Sequence, residues 1–180
     1  QNCHESESYG PFTGSVNSHM LKNIGAHFVI IGHSENREKG ENNKLINLKI
    51  KSALKAKLKV IFCIGETLVE KKRKLTQSIL SNQIKIGLDC IKNKSNIFIA
   101  YEPVWAIGTG IVPKPKDLLE TVNFIKSKFK DKSPKVLYGG SVNPQNIKDL
   151  KKINNIDGFL IGGASQSAKK FIDIVKKTYS

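Results

Sequence analysis

Arginine is almost missing from this 180-residue chain. Arg37 and Arg73 are the only two, so nearly all of the 30 Lys+Arg residues set against 15 Asp+Glu are lysine, and the formal charge is +15. Planar phosphate recognition and readout of base edges favour arginine. No basic stretch carries interleaved aromatics that would stack on bases. A nucleic-acid partner is therefore not expected, and a bias towards Lys, Ile and Asn accounts for the charge, which still steers anionic substrates. The densest run, Lys71-Lys72-Arg73-Lys74, reads as the solvated face of an amphipathic helix.

Cysteine is also scarce. Cys3, Cys63 and Cys90 are odd in number and scattered, which excludes a disulfide scaffold and fits a reducing compartment, the cytoplasm. Together with His4, His19, His27 and His33 they form no C-x-x-C or H-x-x-x-H spacing, so no metal site is expected. No apolar run approaches the roughly 18 residues of a membrane span, and the basic-then-apolar layout of a secretory signal is absent. Without a linker or low-complexity block, residues 1–180 read as one domain. The chain opens on Gln1 and has a single methionine, Met20, which suggests a missing start.

What the sequence does contain is a β-α alternation, five times over. Ala26–Ile31, Lys59–Ile64, Asn96–Glu102, Lys135–Gly139 and Gly158–Ile161 are nearly continuous apolar runs, the mark of parallel strands buried on both faces. Between them lie stretches of helical period. Leu118, Val122, Ile125 and Phe129 share one stripe behind Pro113 and Pro115, and Phe171, Ile172 and Val175 share another near the end. A doubly wound open sheet and part of a (β/α)8 barrel both fit. Several strands end in polar or glycine-rich segments, which favours the barrel.

Those strand ends carry the candidate chemistry. His33 follows Phe28–Gly32 and precedes a helix start, a place that favours the neutral imidazole, although a lone histidine is more often structural. Glu102 ends a buried strand before Pro103, costly for a carboxylate unless it is paired or working. Val104, Trp105 and Ile107 would desolvate it and raise its pKa, as suits a general base; the competing reading is a structural ion pair. Pro103–Pro113 has a rigid start and ends on small residues, the composition of a lid. Gly139-Gly140-Ser141 and Gly162-Gly163 follow strands and precede helices, where backbone amides cradle anions. A single Gly-Gly turn more often reflects tight packing, but two in register after the last strands match a barrel's phosphate site.

Four segments closely resemble the triosephosphate isomerase family: Ile31-Gly32-His33-Ser34-Glu35, Ala100–Gly110 (AYEPVWAIGTG), Tyr138-Gly139-Gly140-Ser141-Val142, and Gly158–Ser165 (GFLIGGAS). The resemblance runs the whole length, in order. It implies a TIM barrel and the interconversion of dihydroxyacetone phosphate and glyceraldehyde 3-phosphate, without a cofactor. By that resemblance Glu102 is the proton-shuttling base, His33 the neutral electrophile, Glu35 a second carboxylate beside the site, and Pro103–Gly110 the lid. Backbone amides of Gly108, Ser141, Gly162 and Gly163 would hold the phosphate. It also implies a homodimer through a loop like Gly10–Gly14, with Thr13 reaching the partner. Ser15 and Asn36 stand where the family commonly has Glu and Arg, so an ion pair there would be lost.

A full barrel needs about 250 residues, and these strands look like the last five, with Gln1-Asn2-Cys3 as the tail of the strand before them. The family's Asn and Lys at the end of the first strand have no counterpart in these rows. The 180-residue chain alone is therefore expected to be an incomplete, inactive and poorly soluble piece of an isomerase. A phosphate-binding protein without catalysis would need only the glycine turns. His33, Glu102 and the lid together favour the enzyme.

Overall fold

Each apolar run becomes a parallel strand. The computed structural model describes residues 1–6, 10–129 and 133–179. In chain order the elements are α1 (Ser18–Asn23), β1 (Phe28–Ile31), α2 (Ser34–Glu38), α3 (Asn43–Lys55), β2 (Lys59–Ile64), α4 (Leu68–Lys72), α5 (Thr76–Gly87) and β3 (Ile97–Tyr101). They continue with α6 (Pro115–Ser127), β4 (Val136–Tyr138), α7 (Ile147–Leu150), β5 (Gly158–Phe159) and α8 (Ala168–Tyr179). Two 3-10 turns lie at Val104–Ala106 and Gly163–Gln166. The strands pair in parallel in the order β1-β2-β3-β4-β5. A doubly wound sheet would reverse direction at a switch point, whereas this arc never does, as in a barrel wall.

Register separates the two faces. Val29, Val60 and Ile97 are aligned, as are Ile31, Phe62, Ile99 and Val136, and all are at most 2% exposed. They meet α3, α5 and α6 through Ile46, Ile50, Leu80, Leu118, Val122 and Ile125. Full burial of each such side chain is worth ~1.5–3 kcal/mol, so this layer holds the fold. The alternate residues behave differently. Ile30, Ile61, Phe98 and Leu137 are only half-buried, and Phe28 is 41% exposed. Burial on both faces, expected from the continuous runs, therefore holds throughout on the helix side, but on the other face only at the strands' C-terminal ends, where Cys63 and Ala100 are at most 1% exposed. The arc curves the second face into a concave wall without closing over it. Beside β1, the Gln1 carbonyl accepts a hydrogen bond from Ile30 N at 3.1 Å, so the chain's first residues do run along that strand.

Helix ends are set locally. Asn42 Oδ1 accepts from Lys44 N and Leu45 N to start α3, and Pro115 opens α6. The expected α6 stripe is buried at Leu118, Val122 and Ile125, with Phe129 packed against its edge. The last stripe is not. Phe171, Ile172 and Val175 are 40–52% exposed, and Ile174 at 1% is the residue that α8 buries. α8 meets α7 and the Gly163–Gln166 turn, so it is rotated relative to the periodicity. The basic run does not lie along one helix face either: α4 ends at Lys72, and Lys74 sits at φ 59 before α5 begins.

Candidate active site

The C-terminal ends of the strands converge on one cavity of about 540 Å³, lined by His33, Glu102, Gly108, Ser141, Gly162 and Gly163 among others. Six of the seven expected site residues thus meet in one place. The seventh, Glu35, has an exposed side chain outside that lining. Its backbone N–H still reaches the site, donating to His33 Nδ1 at 3.3 Å.

His33 caps α2. With Nδ1 accepting that amide, the ring proton belongs on Nε2, which faces Glu102 Oε1 at 3.4 Å. Glu102 follows β3, where its own N–H donates to the Ile64 carbonyl at 2.8 Å and fixes the backbone. The residue is 4% exposed, and its Oε2 is buried without a hydrogen-bond partner among the described residues. Desolvation raises its pKa, outweighing the lowering by His33, Cys63 and Arg37, while Glu35 adds to the rise. An under-solvated carboxylate with a spare oxygen is a stronger base than one in water.

Two glycines make room for Glu102, Gly65 for its backbone and Gly139 for its side chain. A methyl on Gly65 would lie 1.8 Å from the Glu102 carbonyl oxygen, and one on Gly139 would lie 2.7 Å from Glu102 Cγ. The Cys63 thiol lies against the same carboxylate, and burial holds it well above the ordinary thiol range. Arg37 ties the adjoining strand ends together, donating to the Gly32 carbonyl at 2.7 Å and the Cys63 carbonyl at 3.0 Å.

The lid segment is fastened at both ends. At its root, Val104 N donates to the Glu66 carbonyl at 3.0 Å, and Trp105 Nε1 donates to Glu66 Oε1 at 2.9 Å. Lys71 Nζ stands 3.3 Å over the Trp105 ring. At its tip, Ser141 Oγ accepts from Gly110 N at 2.9 Å and donates to the Ala106 carbonyl at 2.7 Å. Gly108 and Gly110 adopt φ of 68° and 78°, a conformation that favours glycine.

The second glycine turn is different again. Among the described residues, nothing lies within 4 Å of a methyl placed on Gly162 or Gly163, and both face the cavity. Packing among the described residues does not account for them. The Gly162–Gly163 backbone enters a 3-10 turn, which leaves its amides at the head of that turn.

A family model described as triosephosphate isomerase matches residues 1–178. The triosephosphate isomerase of Thermodesulfovibrio yellowstonii is 46% identical over 177 residues, covering 94% of this chain and 72% of that protein. That of Carboxydothermus hydrogenoformans is 46% identical over 187 residues, covering 98% and 74%. The crystal structure of triosephosphate isomerase from Bartonella henselae superposes with a TM-score of 0.90 at 38% identity, covering 100% of this chain and 75% of that one. The chain belongs to the triosephosphate isomerase family.

Membership gives the five-stranded arc its context, the wall of a TIM barrel, and the cavity its reaction class. Triosephosphate isomerases are aldose–ketose isomerases that interconvert dihydroxyacetone phosphate and glyceraldehyde 3-phosphate, a glycolytic step. The phosphorylated triose is the substrate this family implies. Among the described residues, no helix is long and apolar enough to cross a membrane. Sequence reasoning singled out His33 and Glu102, which the fold brings together in this cavity, but not Cys63, Arg37, Glu66, Gly65 or the packing role of Gly139. Gly65 had a visible signal, since it follows an apolar strand as Gly32 and Gly139 do.

Proposed function

We propose that Glu102 removes the proton α to the substrate carbonyl and returns it to the neighbouring carbon, while His33 donates from Nε2 to the oxygen that becomes the enediolate. The observation that carries this reading is the buried, unpartnered Glu102 Oε2 beside an imidazole whose Nε2 stands 3.4 Å from Oε1. Desolvation strengthens the base before substrate arrives, and the lid excludes the water that would quench it. Glu35 acts through the amide that fixes the His33 tautomer and through its charge. Phosphate is held by the amides of Gly108, Ser141, Gly162 and Gly163. These steps use side chains and backbone amides alone.

The enzyme works as a single domain per chain and as a homodimer in the cytoplasm. Support for the dimer comes from the loop around Thr13 and the adjoining α1, where Phe12, Val16, Met20 and Ile24 are 40–80% exposed. Such a patch on a soluble chain marks a partner surface. Three unpaired thiols suit a reducing compartment.

The test uses the full-length enzyme and its Glu102→Gln variant. The expected result is a fall in kcat of about 10³, within the range of lost general-base catalysis, with inorganic phosphate binding unchanged. A variant that keeps its kcat, or a parent that does not turn over dihydroxyacetone phosphate, overturns the reading.

A further inference from the structure

In a chain whose positive charge is almost all lysine, one of the two arginines is partly buried beside the reacting pair. Arg37 stands in the last turn of α2, and its guanidinium reaches past β1, into β2 and to the start of α3. Nε donates to the Gly32 carbonyl at 2.7 Å, Nη1 to Asn43 Oδ1 at 2.7 Å, and Nη2 to the Cys63 carbonyl at 3.0 Å. Three separated acceptors suit a rigid planar fork and not the single ammonium of a lysine. Gly32 leaves room for it, since a methyl there would lie 3.1 Å from Nη2. These bonds reach both halves of the pair. Gly32 immediately precedes His33, and the Cys63 thiol lies against Glu102.

All three acceptors are neutral oxygens, so none of these bonds supplies the counter-charge that a cation taken out of water requires. The carboxylates that act on Arg37 through space are Glu41 and Glu102. Glu41 is already paired with Lys49. Glu102 is faced by His33, Glu35 and Arg37 from the α2 side and by Cys63 from β2. Burial and Glu35 oppose its ionisation, and Arg37 counters them with a charge that does not titrate in the working range.

We propose that Arg37 is a positioning residue for the isomerisation: it holds the β1 and β2 ends in register so that His33 meets Glu102, and its charge favours the ionised form of that carboxylate. This rests on the reading of Glu102 as the base.

The test is the pH profile of kcat/KM in the full-length enzyme. Arg37→Gln is expected to raise the acid limb by roughly half a pH unit, because a carboxyl that loses a nearby opposite charge holds its proton more tightly. It should also lower kcat about tenfold through lost alignment. The substrate's own ionisation is shared with the parent and cancels in the comparison. Arg37→Lys keeps the charge and loses the fork, so its acid limb should match the parent's while kcat stays low. Asn43→Asp keeps an acceptor for Nη1 and pairs the charge, so the limb should rise without loss of thermal stability. A limb unmoved in both Arg37→Gln and Asn43→Asp leaves Arg37 a structural staple alone and overturns the proposal, as does parental kcat in Arg37→Gln. Should Arg37→Gln fail to fold, the limb of Asn43→Asp decides. If Glu102→Gln still turns over, the base reading itself fails and the role of Arg37 falls with it.

Discussion

The glycine pairs after β4 and β5 look alike in sequence and sit in opposite surroundings. At Gly139 a methyl would strike Glu102 Cγ at 2.7 Å, and at Gly140 it would strike the Tyr138 hydroxyl at 2.1 Å. At Gly162 and Gly163 it would meet nothing within 4 Å among the described residues. The first pair is glycine because protein must come close. The second leaves space that the described residues do not fill. On the proposed reading one sequence signal serves two halves of the reaction, seating of the base and room for the phosphate, and each half fails in its own way when a methyl is added.

Gly139→Ala should show the larger effect. The added methyl displaces Glu102, and a misplacement of about 1 Å costs on the order of 10²-fold. We expect kcat to fall by about that factor with KM for dihydroxyacetone phosphate little changed, in steady-state assays of the full-length enzyme. Gly163→Ala should do the reverse, raising KM about tenfold, the equivalent of ~1.4 kcal/mol of lost binding, while kcat moves little. If the two variants give the same split between kcat and KM, the distinction between the turns is wrong.

The smallest effect is on stability. Glu102 binds its proton more tightly when folded, because burial disfavours the charged form. A group with a raised folded pKa stabilises the native state at low pH and loses that contribution as pH rises through the folded pKa. Glu102→Gln, which removes the buried charge, should therefore raise Tm by ~2–4 °C at pH 8, where about 1 kcal/mol shifts a domain of this size that far. The gain should vanish near pH 4, by thermal unfolding followed across pH. A gain that grows towards acid would mean that the carboxylate is stabilised by its neighbours instead.

The same contrast shows what a sequence can reveal. β2 was legible to the residue, Lys59–Ile64, because apolar runs report burial directly. Glu102 and His33 were legible because a polar group at the end of an apolar strand is a local anomaly. The space around Glu102 was not. It depends on Gly65 and Gly139, 37 residues apart from it on each side, which meet only when β2, β3 and β4 align. Helical period located the stripe of α6 but misassigned α8, since Phe171, Ile172, Val175 and Ile174 are all apolar and only the tertiary neighbour chose among them. Lys71 looked like part of a solvated face, whereas its ammonium stands over Trp105 at the root of the lid. Neighbours from another loop left no mark in the local pattern.

The most direct test of the base is to follow deuterium. Dihydroxyacetone phosphate is turned over in deuterated water by the full-length enzyme and by Glu102→Gln, and label on the carbon next to the carbonyl is read by NMR. Proton shuttling by an ionisable side chain predicts label in the product of the parent and its loss, together with turnover, in the variant. Product free of label from the parent, or label that enters at the same rate in the variant, would contradict the account.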